Sequence, residues 1–171
     1  MLRMLVSSLR RSILALVALA IVILVSADFA RAAEPDFKAM INKVGDAWET
    51  LDPAKAGIYY SKDASAVYFD IAPLKYTGWD AYATGTKDVF QNFSSLAITT
   101  NDDVKIDRHG DLAVTTVTGR ADVVDKSGAK QSFECRWTLV WEKQKDTWLI
   151  SHEHLSTPLA MPTMPEQHES K

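Results

Sequence analysis

The chain has 171 residues, 47% of them hydrophobic and 24% charged, with a formal charge of −3 and a single cysteine. That length holds one domain of ordinary size, and 7 Gly and 6 Pro are too few for a collagen-like or low-complexity chain. One cysteine excludes an intramolecular disulfide and a Cys-based zinc cluster, and the mild acidity argues against nucleic acid as a partner.

Arg3, Arg10 and Arg11 precede an apolar run from Ile13 to Val25, and small residues follow at Ser26, Ala27, Ala30, Ala32 and Ala33. This is the three-part layout of a secretory signal peptide over residues 1–33, cleaved on maturation. The run falls short of the ~20 residues a membrane-spanning helix needs, although Ser26 and Ala27 extend it enough to leave an uncleaved anchor open. Cleavage near Ala33 removes Arg3, Arg10, Arg11 and Arg31 against Asp28, leaving 15 basic and 21 acidic residues, a charge of −6. The expected mature protein is periplasmic or secreted, with no stable membrane insertion.

From Phe37 the apolar positions Met40, Ile41, Val44, Trp48 and Leu51 recur at three- and four-residue spacing, with Asp36 placed to cap the start, so an amphipathic helix is expected. Asp52-Pro53 reads as an N-cap and a first-position proline opening a short helix through Tyr59. Ala66-Val67-Tyr68-Phe69 is β-branched and aromatic, a strand that ends at Asp70, and Gly78-Trp79-Asp80 opens a third helix through Phe90. From Leu96, runs rich in Val, Ile, Thr and Trp are separated by turn residues at 108–111, 125–128 and 143–146. Four long strands in an antiparallel meander follow from that spacing. The tail, residues 159–171, has no periodicity. Three helices followed by a long meander define an α+β domain over residues 34–158, with a strongly curved sheet wrapped on the helices and a pocket inside the curve.

The order helix, Asp-Pro helix, Lys62-Asp63-Ala64, Val67-Tyr68-Phe69-Asp70, Tyr76-Thr77-Gly78-Trp79-Asp80, and finally Trp148 through His152-Glu153-His154 to Ser156, resembles the SnoaL-like branch of the nuclear transport factor 2 (NTF2)-like superfamily. The closing strand resembles that of the calcium/calmodulin-dependent kinase association domain, with its Trp…His-x-His…Ser pattern. The resemblance implies a cystatin-like cone, a homodimer formed through the outer face of the sheet, and a pocket at the wide end. The superfamily holds isomerases and dehydratases as well as oligomerisation modules, so it specifies the fold more closely than the activity.

Asp70 falls near the strand-end aspartate that serves as general base in the ketosteroid isomerase relatives. A carboxylate in an apolar mouth has the raised pKa such chemistry needs; a solvated turn residue is the alternative. The oxyanion donors of those isomerases are missing here, since the first helix has no tyrosine and Cys135-Arg136-Trp137 stands near the place of the sheet aspartate. Arg136 is a candidate clamp for a carboxylate ligand, with an exposed cross-strand partner for Glu142 or Asp122 as the alternative. His152 and His154, two apart on a strand, share a face and are expected to lie with Trp148 and Ile150, either as proton-shuttling or ligand-binding groups or as imidazoles hydrogen-bonded within the sheet or a dimer interface. If the other face lines the pocket, Glu153 and Leu155 enter it and the histidines become structural. A third metal ligand close in sequence is absent, so neither metal nor cofactor is expected. Tyr60, Tyr68 and Tyr76, with Tyr59 and Trp79, are candidates to contact a flat organic ligand, and ordinary core packing accounts for them as well. The functional expectation is therefore a small-molecule pocket with isomerase- or lyase-type acid–base chemistry. A non-catalytic binding or oligomerisation module on the same cone is the alternative.

Overall fold

A computed structural model describes residues 35–159. The expected signal peptide, residues 1–33, and nearly all of the tail lie outside the described residues. Helix α1 (Phe37–Glu49) buries Phe37, Ile41, Val44, Gly45 and Trp48, the three/four spacing of the sequence turned into one inward stripe. Helix α2 (Pro53–Ala56) is capped by Asp52, whose side chain accepts from the Ala54 N–H, and runs into a 3₁₀ turn at Gly57–Tyr59. Strands β1 (Val67–Phe69) and β2 (Tyr76–Thr77) precede α3 (Trp79–Phe90). Gly78 opens α3 at φ 76°, and a Cβ there would stand 3.1 Å from the Ala64 carbonyl oxygen, so backbone freedom and close approach both call for glycine.

The remaining strands are β3 (Phe93–Thr100), β4 (Lys105–His109), β5 (Leu112–Asp125), β6 (Lys130–Gln144) and β7 (Thr147–Ser156). The sheet runs β2-β1-β7-β6-β5-β3, with β4 also paired to β5. All pairs are antiparallel except β1 with β7, where Val67, Tyr68 and Phe69 lie opposite His152, Glu153 and His154. The turns expected at 108–111, 125–128 and 143–146 are where the chain reverses. The expected first meander strand is instead two strands. Between them Asp103 accepts hydrogen bonds from the Thr118 N–H at 3.0 Å and hydroxyl at 2.7 Å, and the Asn101 N–H donates to the Thr118 carbonyl, which lifts residues 101–104 off the ladder.

The core fills the inside of the curve. At one end Phe37 packs on Trp141 and Trp148, with ring centroids 5.7 and 5.1 Å away. The Trp141 indole donates to the Thr115 hydroxyl at 2.9 Å, satisfying a buried N–H. Around Trp48, the rings of Tyr60, Trp79, Tyr82 and Phe90 lie 5.5–6.1 Å away and join α1, α3 and the 3₁₀ turn into one aromatic wall.

Candidate functional site

A cavity of about 480 Å³ opens between α3, β3 and the inner faces of β5, β6 and β7. Its wall is mostly apolar, with Val89, Phe90, Leu96, Ile98, Val123 and Phe133 among the residues that form it. Polar groups gather around Glu153, Asp70, Tyr82 and Trp137. Inward alternation brings Cys135 and Trp137 of β6 into the wall, opposite Leu155 and beside Glu153 of β7.

How Glu153 comes to face inward is a matter of one residue. Trp148 and Ile150 point into the core, and strict alternation would carry His152 and His154 after them. Between Ile150, opposite Trp141, and His152, opposite Val140, the ladder shifts, so Ser151 is an extra residue against β6. A β-bulge of this kind reverses which side chains face in. Beyond it Glu153 and Leu155 line the cavity, while His152 and His154 lie on the outer face of the sheet. There the His152 Nδ1–H donates to the Val67 carbonyl at 2.7 Å, His154 is exposed, and both rings meet the edge of Phe69. The structure thus separates the two histidines from the cavity by the thickness of the sheet.

Glu153 is 1% exposed. Its Oε2 accepts from the Tyr60 hydroxyl and its Oε1 from the Tyr82 hydroxyl at 2.8 Å. Tyr60 is itself held by the Trp48 indole N–H at 2.9 Å. Burial drives the Glu153 pKa up to about 7; the Asp70 charge adds to that rise, and the hydrogen bonds from Tyr60 and Tyr82 hold it back. The same burial, with Glu153 beside them, pushes the Tyr60 and Tyr82 hydroxyls well above their ordinary range, so both remain donors.

Asp70, at the end of β1, reaches the cavity as a half-buried carboxylate whose pKa burial raises, while the Ile71 N–H donating to its Oδ1 at 2.7 Å opposes the rise. The structure therefore brings Asp70 and Glu153 to one cavity. Of the tyrosines singled out in the sequence, Tyr60 touches Glu153 from behind the wall. Tyr68 donates to the Ser61 carbonyl and stacks on Tyr82, and Tyr76 donates to the Ala72 carbonyl, each engaged in the core rather than the cavity lining. Arg136 is exposed on the outer face, opposite Thr118 and Ser156, and a ligand in the cavity lies beyond its reach. Arg120 pairs with Asp122 at 2.9 Å on the surface. Sequence reasoning did not pick out Tyr82, although its place one helical turn after Gly78 puts it on the inner face of α3.

Trp137 Nε1 is a buried polar atom with no hydrogen-bond partner among the described residues. It lies near enough to Glu153 for its N–H dipole to favour the carboxylate, yet it meets no acceptor at hydrogen-bonding geometry. Cys135 is a buried thiol whose pKa burial raises, so it stays protonated and unreactive. Among the described residues no three of His, Cys, Asp and Glu gather as a metal-binding group.

Curved sheet, helices and the open cavity between them define an NTF2-like cone. A sequence profile of the SnoaL-like domain matches residues 27–160, and the chain belongs to that family. Solved structures agree on the fold. An NTF2-like superfamily protein from Salmonella enterica superposes with a TM-score of 0.66 at 20% identity, covering 72% of this chain and 89% of its own. A protein from Xanthomonas campestris that bears the name of a calcium/calmodulin-dependent protein kinase II association domain gives 0.63 at 21% identity, covering 78% and 95%. One from Novosphingobium aromaticivorans that bears the name of a scytalone dehydratase gives 0.64 at 13%, covering 72% and 82%. No curated protein matches the chain.

Proposed function

We propose that this protein performs acid–base chemistry of the isomerase or lyase type on a small organic ligand, with Glu153 as the group that moves the proton. The observation that carries the reading is a carboxyl at the wall of an open cavity, fully buried, held by two tyrosine hydroxyls, with a pKa of about 7. Such a group is divided between acid and base at neutral pH, the condition under which general acid–base transfer is most effective. Ionised Glu153 would take a proton from carbon next to a ligand carbonyl, leaving an enolate. Protonated Glu153 would then return a proton to carbon or to a departing hydroxyl. Asp70 raises the basicity of Glu153 and stands at the same cavity as a second proton carrier. That the cavity is open, with Trp141 and Trp148 packed away from it, favours a ligand site over a plugged oligomerisation module.

The test requires no knowledge of the natural substrate. Deuterium uptake at the methyl group of acetylnaphthalene in D₂O, followed by proton NMR, reads proton abstraction directly. The protein should accelerate uptake with an inflection near pH 7, and Glu153→Gln should lose about 100-fold or more, the usual scale of general acid–base catalysis. Uptake no faster than in buffer, or unchanged in the variant, overturns the reading.

Export to the periplasm or the medium and a homodimer on the outer sheet face belong to the same proposal, supported by residues 1–33 of the sequence and by the family's fold. Cell fractionation and light scattering check them. A cytoplasmic full-length product, or a monomer at micromolar concentration, counts against each in turn.

A further inference from the structure

The cavity's polar groups are unbalanced in a way that defines what can occupy it. None of the described residues lining it is Lys, Arg or His, whereas two carboxyls, Asp70 and Glu153, face it. An anionic ligand would enter as a further negative charge between apolar walls with no counter-ion, and a buried charge without a partner is strongly disfavoured. An ammonium ligand would pair with the carboxyls. It would still leave the Trp137 N–H, on a residue 5% exposed, without an acceptor, and a buried unsatisfied donor is a standing cost that a ligand oxygen removes. Of the other polar groups, Gln131 is exposed and Thr157 half-buried, so both are open to water, and the buried ones already have partners inside the protein. Tyr82 is committed to Glu153, and the Thr86 hydroxyl donates to the Tyr82 carbonyl at 2.8 Å.

We propose that the cavity takes an uncharged, largely apolar organic molecule bearing an oxygen acceptor, and that the Trp137 indole N–H is the group that recognises that oxygen. The oxygen would sit beside Trp137 on the cavity side, which places the carbon next to it near Glu153 and within the proton-transfer region. The specificity rests on the ligand-site reading given above, but not on any turnover.

Three probes of nearly one shape separate the possibilities: acetylnaphthalene (neutral, one carbonyl), naphthoate (anionic) and naphthylmethylamine (cationic). Binding is measured at pH 8 by calorimetry, together with the indole ¹H–¹⁵N signals of the protein, the Trp137 signal being assigned from Trp137→Phe. Acetylnaphthalene should bind about tenfold or more tighter than either charged probe, the worth of one good hydrogen bond, and should move the Trp137 indole proton downfield. Trp137→Phe should lose about tenfold in affinity for acetylnaphthalene alone. Should that variant fail to fold, the indole shift in the unmodified protein still decides. Equal or tighter binding of naphthoate or the amine, acetylnaphthalene bound with the Trp137 signal unmoved, or no binding of any probe overturns the proposal. Acetylnaphthalene bound with the Trp137 shift but without deuterium uptake keeps this selectivity and refutes the role given to Glu153, so the two ideas fail separately.

Discussion

Replacing Glu153 by glutamine keeps the shape of the side chain and an oxygen for Tyr60 or Tyr82, and removes only the charge that the cavity wall resists. A carboxyl whose pKa is about 7 in the folded protein and 4.5 when exposed holds its proton in the native state through a range where the unfolded chain has lost it. Its contribution to stability is therefore greatest below about pH 4.5, falls as pH rises, and levels off once pH passes about 7. Between pH 5 and pH 8 the loss works out to about 2.5 kcal/mol by linkage. Asp70, also raised, is present in both proteins, so only its coupling to Glu153 differs between them. Urea unfolding followed by tryptophan fluorescence at the two pH values measures it. With slopes of ~1–3 kcal/mol per molar urea, the gap in midpoint between Glu153→Gln and the unmodified protein should move by about 1–2.5 M in favour of the variant on going from pH 5 to pH 8. Parallel pH dependence in the two proteins, with the gap constant to within about 0.5 kcal/mol, would refute the claim that Glu153 is buried at a cost.

Tyr82→Phe should destabilise the fold by about 1–3 kcal/mol and move the Glu153 titration upward, because one of the donors favouring the carboxylate is gone; the pH course of the urea midpoint shows it. His154→Ala should leave acetylnaphthalene affinity within about twofold of normal by calorimetry, since the ring is exposed on the outer face of the sheet; a large loss would mean that face takes part in binding. Gly119→Ala should cost about 1–3 kcal/mol in urea unfolding, because a Cβ at that position would stand 2.6 Å from the Thr99 carbonyl oxygen of the neighbouring strand, which cannot yield as a side chain would.

Much of the architecture is legible because the signals are local. The Phe37–Trp48 spacing becomes the buried stripe of α1, Asp52-Pro53 caps α2, and Gly78 starts α3. The three turn clusters divide β4, β5, β6 and β7 where their residues predict. What escapes a sequence reading depends on partners distant in the chain. Residues 101–104 fall inside the expected first meander strand although Asn101-Asp102-Asp103 are poor strand formers, and the bonds of Asp103 and Asn101 to Thr118 fix where the chain leaves the ladder. Tyr60 and Tyr82 become site residues because they reach a carboxylate 93 and 71 positions away. Period-two alternation assigns faces only while the ladder is regular, and it gives no warning of the slip beside Val140. The alternatives for β7, acid inward or imidazoles inward, were both visible in His152-Glu153-His154. The choice between them was not.

The slip has a consequence for how chemistry is encoded in such a domain. Ser151 does not line the cavity, yet the step it adds to β7 determines whether the same three letters present one carboxyl or two imidazoles to the interior. A chain with an identical His-Glu-His triplet and an even ladder would carry two imidazoles where this one carries a carboxyl with a pKa of about 7. The side chains a strand offers to a cavity are read through its backbone spacing, and two sequences that align residue for residue at the triplet can hold opposite chemistry if a single residue is gained or lost just before it.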